Sequence, residues 1–329
     1  MANKGADQER FLGALLGMAI GDALGMPVAG WSAARIQERF GTIDGYHQRI
    51  FPEGAEIKAG EFTDESEVAL CIVESFTANH GELDADNIGA RLGFLAAGES
   101  KRWMGNATLA SLASSAETLD YQVPIDEDDP ATGDVAARGI PIGLIHAIGP
   151  LHPVDLRADA ELVTRLTHGS PLAIAATTAV AFAVQLAARR EVPAADWART
   201  TAAFVDVGSV AAELDRAASL FAAGEPAATA IPRLGSDLAA APVVATALYA
   251  AMSAAAFEDA VFTAVNAGGA TDARGAIAGA IAGATVGAGG IPQRLIDELE
   301  GRIYVSLAAP WFYRTVLRKS GTVIDLRQT

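Results

Sequence analysis

The chain has 329 residues, 51% of them hydrophobic but only 6% aromatic, so a large core must be built from Ala, Leu, Val and Ile. That length exceeds an average domain, yet one large helical domain remains within reach. A net charge of −16, from 40 acidic and 24 basic residues, repels phosphate backbones, and no Lys/Arg cluster reverses it locally, which argues against nucleic-acid binding.

Alanine has the highest helix propensity and loses little side-chain entropy, and small side chains let helices approach closely. A compact all-α bundle is expected. The single cysteine, Cys71, excludes an internal disulfide framework and fits a reducing compartment. It lies in the apolar helical run VALCIVESF and reads as a buried small hydrophobe rather than a nucleophile. The N-terminal MANKGADQERF has no apolar signal core. LAIAATTAVAFAVQLAA, residues 172–188, is the most membrane-like stretch, but it is Ala/Thr-rich, carries a Gln and is short for a span. A buried core helix is the better reading, and a cytoplasmic protein without membrane attachment is expected.

Residues 11–25, FLGALLGMAIGDALG, read as a first buried helix ending in a Gly-flanked turn, and WSAARIQERFG as a short amphipathic one. A Gly- and Pro-bearing loop then leads to a helix over ESEVALCIVESFTANHG, which Asp64 or Thr63 can cap. Another helix is expected over 84–98 behind Asp84. Residues 99–140 read as loop, and the acidic run Asp126 to Asp129 within it as solvated charge rather than a metal site. Helices resume with IPIGLIHAIG, ADAELVTRLTHG and the 172–190 run, and continue through VPAADWARTTAAFV, VGSVAAELDRAASLFAAG, APVVATALYAAMSAA and FEDAVFTAVNAGG. No segment alternates with period two, so no sheet is expected. No long linker divides the chain, so a single domain is expected over 1–329, with tails at 1–9 and 318–329.

The segment GAIAGAIAGATVGAGG spaces Gly275, Gly279, Gly283 and Gly287 by four residues, which on a helix makes one smooth side for another helix backbone. Glycine inside a helix costs roughly 1 kcal/mol relative to Ala, a cost that close approach has to offset.

Two segments carry residues suited to chemistry. In GEFTDESEV a hydroxyl, Thr63, and two successive carboxylates, Asp64 and Glu65, stand at a loop-to-helix junction. Hard divalent cations take such oxygen ligands. A helix N-cap with an acidic first turn accounts for the same residues. In NAGGATDARGAIAG, Gly268 and Gly269 precede Thr271 and Asp272. A cap is again one reading, and a Gly-Gly turn bringing backbone close to a ligand is the other.

Taken in order, GALLGMAIGDALGMP, AGEFTDESEVAL, TRLTHGSPLA and AVNAGGATDARGAIAGAIAGATVG resemble the ADP-ribosylglycohydrolases over roughly residues 10–300. The resemblance implies an all-α orthogonal multi-helix bundle, a Mg²⁺ or Mn²⁺ centre, and hydrolysis of an N- or O-glycosidic bond at the anomeric carbon of ADP-ribose. Carried onto this sequence, it implies metal ligation by Thr63, Asp64, Glu65 and Asp272, with Asp64 and Glu65 as the catalytic carboxylates. It further implies substrate contacts from Asp22, Trp103, Gly133, Asp134, Arg138, His168 beside Thr167, and the turn Gly268–Gly269.

This chain also departs from the family pattern. Ala270 and Ala273 replace a carboxylate and a hydroxyl, Glu65 replaces an Asp, Ala29 a Glu, and Val135 a Gly. One cation rather than two is therefore expected. The expected partner is a small-molecule or ADP-ribosylated substrate, with no obligatory protein partner. A different N-glycoside substrate, or a catalytically inactive nucleotide-binding regulator, remain the alternatives.

Overall fold

Ala-rich runs become helices throughout the described residues, which in the computed structural model are 6–321 apart from 53, 119, 130 and 236. In chain order they are α1 (Gln8–Gly25), α2 (Ala33–Phe40), α3 (Asp64–Ala78), α4 (Ala85–Ala97), α5 (Asn106–Thr118), α6 (Gly139–Ile145), α7 (Pro153–Thr164) and α8 (Pro171–Arg189). There follow α9 (Trp197–Val205), α10 (Gly208–Ala222), α11 (Ala227–Leu234), α12 (Ala240–Ser253), α13 (Phe257–Val265), α14 (Thr271–Val286), α15 (Gln293–Asp297) and α16 (Arg302–Lys319). The fold is all-α, as composition implies. The one sheet among the described residues is a two-stranded antiparallel hairpin, β1 (Arg49–Ile50) with β2 (Glu56–Ile57), in the loop that precedes α3.

The centre of the fold is a pair of helices from opposite ends of the chain. Gly13, Gly17 and Gly21 of α1 lie against Gly283, Gly279 and Gly275 of α14, and Gly25 lies against Thr271. A Cβ on any of these α1 glycines would fall on the facing backbone carbonyl. The stripe on α14 is evident from spacing; its mate on α1, at the same four-residue interval, is what the sequence reading lacks. Gly287 closes the seam, its backbone beside Gly13 of α1. It ends α14 with φ 75°, a left-handed geometry that only glycine adopts freely. This antiparallel register puts Asp22, one residue past Gly21, and Asp272, one residue past Thr271, at the same end of the pair.

Around the seam, α8 is almost wholly buried and packs against α6, α7, α9 and α14. Both helices long and apolar enough to cross a membrane, α1 and α8, have most of that surface covered by protein. On the far side of α1, Phe312 of α16 meets Phe11 at 5.6 Å and Phe76 of α3 at 5.7 Å.

Three expectations change. The stretch 99–140 contains helix α5 and two short 3₁₀ turns, 99–102 and 134–138. The buried positions of α5 are Thr108, Leu112 and Ser115, so its inward face has helical spacing but little apolar signal. The helix expected from Ala158 starts at Pro153 and ends at Thr164, because a proline suits the first turn, and His168 falls in the turn beyond it. Gln8, Glu9, Arg318 and Lys319, assigned to tails, are helical, while 1–5 and 322–329 lie outside the described residues.

Candidate active site

The first wall of the site is the start of α3. Thr63 occupies the N-cap position, but its side chain makes no capping bond. The cap comes instead from α1. Asp22, fully buried, accepts hydrogen bonds at Oδ2 from the Thr63 N–H (2.9 Å), the Ser66 N–H (3.1 Å) and the Ser66 hydroxyl (2.7 Å). Its Oδ1 accepts from the Thr63 hydroxyl at 2.6 Å. Burial pushes Asp22 above the usual carboxylate range against the pull of these bonds. Asp22 therefore fixes α3 and does not line the cleft. Ser66 is the member of this network that the motifs did not flag.

The Thr63 hydroxyl also lies 3.1 Å from Glu65 Oε2. With a single proton to donate, it can bond both carboxyls only if one of them carries a proton. The direction of the Glu65 shift agrees: burial first, then the neighbouring Asp64, Asp272, Asp22 and Asp134, hold it well above its ordinary value. Asp64 is raised in the same way, by burial and then by Asp134, Asp22 and Asp272.

The second wall is the start of α14. Thr271 does not cap this helix; its hydroxyl donates across the seam to the Gly25 carbonyl at 2.7 Å. Asp272 opens onto the cleft, pushed by burial to about 6, although the Ala273 N–H donates to it at 2.9 Å. Gly268 and Gly269, both with positive φ, face away from the cleft. Gly269 N–H donates to the Trp31 carbonyl at 2.8 Å and its carbonyl accepts from Gly30 at 2.9 Å, so this turn staples the segment before α2. Behind it, Arg274, fully buried, donates to the Gly268 and Asp237 carbonyls. Burial lowers Arg274 to about 10, and Asp272 opposes that shift. Nothing in the motifs marked Arg274.

A cleft of about 360 Å³ lies between the walls. Asp64, Glu65, Asp272, Asp134, Gly133, Trp103 and His168 all reach it, as do Asn106 and Thr108 of α5, which sequence reasoning missed. Ala29, Ala270 and Ala273 present methyl groups to the same space. No Lys or Arg lines it. Arg138 is buried behind it, donating to the Val163 carbonyl at 3.1 Å, and burial lowers it to about 10.

His168 is held from several sides. Its Nδ1 is 2.8 Å from the Thr167 hydroxyl, and Ser111 of α5 donates to the Thr167 carbonyl at 2.8 Å. The following Gly169 N–H donates to Asp129 at 2.6 Å, and its carbonyl accepts from Asp126 N–H at 3.0 Å. The acidic loop thus clamps this turn, which corrects the reading of Asp129 as mere solvated charge. Burial, then Arg138, brings His168 down to about 4, so its imidazole is neutral near pH 7.

Among the described residues no three His, Cys, Asp or Glu side chains are gathered closely enough to form a ready-made coordination shell. The donor chemistry nevertheless suits one hard divalent ion. Four carboxylates share a cleft that has no cationic side chain, and Asp134 Oδ1 is buried without a hydrogen-bond partner.

The fold is all-helical and brings its two ends together at an acidic cleft, and comparison with known proteins identifies the class to which it belongs. A family model described as ADP-ribosylglycohydrolase matches residues 3–321, and the chain belongs to that family. It is 30% identical to an uncharacterized protein of Archaeoglobus fulgidus, covering 94% of this chain and 98% of that one. It is also 30% identical to the ADP-ribosyl-[dinitrogen reductase] glycohydrolase of Rhodospirillum rubrum, over 51% of this chain and 54% of that enzyme. Among solved structures it resembles an ADP-ribosylglycohydrolase-related protein complex, with a TM-score of 0.69, 28% identity, and coverage of 94% and 98%. Membership points to a hydrolase of glycosidic bonds.

Proposed function

We propose that this protein hydrolyses the glycosidic bond at the anomeric carbon of an ADP-ribosyl or related ribosyl compound, using one Mg²⁺ or Mn²⁺ ion. The observation that carries this reading is the meeting of Asp64 and Glu65 with Asp272, from opposite ends of the chain, in one cleft. Thr63, Asp64, Glu65 and Asp272 are the residues that would hold the ion. When bound, such an ion supplies Lewis acidity and a fixed point for the ribose cis-diol.

The chain's own residues do the rest. Hydrolysis breaks the C1–N or C1–O bond, joins a water oxygen to C1 and delivers a proton to the departing atom. Two carboxyl groups commonly divide this work, one taking the water's proton and one donating to the leaving group. This reading gives those two roles to Asp64 and Glu65, adjacent at the start of α3. Neutral His168 and the Trp103 ring, which meets Phe51 at 5.5 Å, offer a neutral donor or acceptor and an apolar face to the remainder of the substrate.

The test is release of ADP-ribose or ribose from ADP-ribosyl-arginine, ADP-ribosyl-serine and nucleosides, screened side by side with Mg²⁺ or Mn²⁺. Turnover that Asp272→Ala abolishes is the expected result. Full turnover in that variant overturns the reading. The methyl groups of Ala29, Ala270 and Ala273 favour a second reading, a pocket reshaped for a smaller N-glycoside, which turnover of nucleosides alone would select. Ligand binding with no hydrolysis of any ribosyl compound would leave a nucleotide-binding regulator.

A further inference from the structure

The two walls of the cleft are unequal in oxygen donors, and a third segment bears on the deficit. Asp134, in the short turn after Gly133, shares the cleft with Asp64 and Asp272. Its Oδ1 is buried with no partner, and a buried polar atom left in that state costs about 1–3 kcal/mol. Its other oxygen lies 3.7 Å from where a Cβ on Gly105 would stand, and Gly105 is itself part of the cleft lining. Beside it, a hollow of about 10 Å³ is bounded by Asp64, Glu65, Asp134, Thr108 and Arg138 together with Val68. That is close to the roughly 10–15 Å³ needed for a single water-sized guest. Thr108 adds a hydroxyl oxygen. The Arg138 guanidinium at the border is turned to the Val163 and Thr164 carbonyls, at 3.1 and 3.5 Å.

The feature has a cause in this sequence. Ala270 and Ala273 place carbon at the two α14 positions where an oxygen donor would face the cleft. A hard divalent ion still needs anionic oxygen from the protein, and one or two carboxylates with retained waters suffice for Mg²⁺.

We propose that Asp134 supplies the donor that Ala270 and Ala273 lack and would join Asp64 and Asp272 among the residues that hold the ion. The inference rests on the cation-dependent reading above and assigns Asp134 a ligand role in place of a purely substrate-facing one.

Mn²⁺ binding, measured by the loss of the free-ion electron paramagnetic resonance signal and by titration calorimetry, tests this without any turnover. The proteins are wild type, Asp134→Asn, the control Asp128→Asn in the exposed part of the same acidic region, and the double variant Asp134→Asn/Ala270→Asp. Wild type should bind one Mn²⁺. Asp134→Asn should bind at least about tenfold more weakly, taking the 10–100-fold loss typical of disturbed metal shells as a floor. Asp128→Asn should match wild type, and the double variant should recover affinity, because it restores a carboxylate on the α14 wall. A circular dichroism spectrum unchanged in Asp134→Asn would show that its fold is intact. Equal affinity in wild type and Asp134→Asn, or equal losses in Asp134→Asn and Asp128→Asn, would overturn the ligand role while leaving the cation. No Mn²⁺ bound by wild type would overturn the cation reading and this assignment with it.

Discussion

The α3 and α14 walls solve one problem, fixing a carboxylate at the lip of a cleft, by different means. On α3 the means is polar: Asp22 reaches from α1 to accept four hydrogen bonds from Thr63 and Ser66, and Asp64 and Glu65 follow from the helix so anchored. On α14 the means is steric: backbone lies on backbone at Gly21–Gly275 and Gly17–Gly279, and Asp272 is carried by that register. The first wall is expected to tolerate changes in packing and fail when a partner is removed. The second is expected to tolerate loss of polar groups and fail when an atom is added.

The sharpest test of the polar wall is chemical. Asp64→Ala removes a group at the centre of the proposed reaction, and kcat should fall about 10²- to 10⁴-fold, the range for a positioned acid or base, with little change in thermal stability. Comparable rates in Asp64→Ala and wild type would break the assignment of chemistry to this wall.

Next comes its anchor. Asp22→Ala leaves the Thr63 N–H and the Ser66 hydroxyl buried and unpaired at roughly 1–3 kcal/mol each, so chemical denaturation should show a loss of about 3 kcal/mol or more. The matching test of the steric wall is Gly279→Ala. One added methyl group forces the two helices apart, and destabilisation of about 1–3 kcal/mol is expected despite alanine's better helix propensity. A stabilised Gly279→Ala protein would show that the seam is looser than its geometry indicates.

The smallest effect is expected at Cys71, which lines a separate pocket beside α4 and α16. Burial pushes its thiol up to about 12, and only the thiolate reacts, so alkylation by iodoacetamide at pH 7.5 should be far slower than for a free thiol and should leave turnover unchanged. Because the shift is upward, reactivity should rise only as the pH climbs toward 12.

How far the sequence discloses these two walls follows the same division. The steric wall shows itself in spacing, since glycines repeated at four residues on a helix have few uses other than close approach. The motif residues Asp64, Glu65, Asp272, Asp134, Trp103 and His168 were legible through family resemblance, and the structure gathers them in one cleft. The reach of Asp22 to Ser66 was not legible, because a cap donated by another helix leaves no trace in the capped segment. Helix α5 was hidden for a related reason: Thr108, Leu112 and Ser115 share its inward face, and small polar residues do not mark a buried face. Arg274 escaped notice because nothing local shows that an arginine will be enclosed, with its charge turned to the carbonyls of Gly268 and Asp237. The Gly268–Gly269 turn holds the segment before α2, a role that the backbone bonds of Gly269 to Trp31 and Gly30 and the bridge from Ser32 to Gly268 make evident and that no local motif announces.

The seam also sets an order of events during synthesis. Residues 8–25 leave the ribosome first, yet the surface they must bury against belongs to residues 271–286. Until those emerge, α1 is an apolar helix without its main partner, and the nascent chain carries much of it exposed for most of its translation. Contacts so distant in sequence close slowly and late. A chain cut short anywhere before α14 therefore lacks more than Asp272. It has nowhere to put its own beginning, and it should be found with chaperones or in aggregates rather than as a partly active fragment.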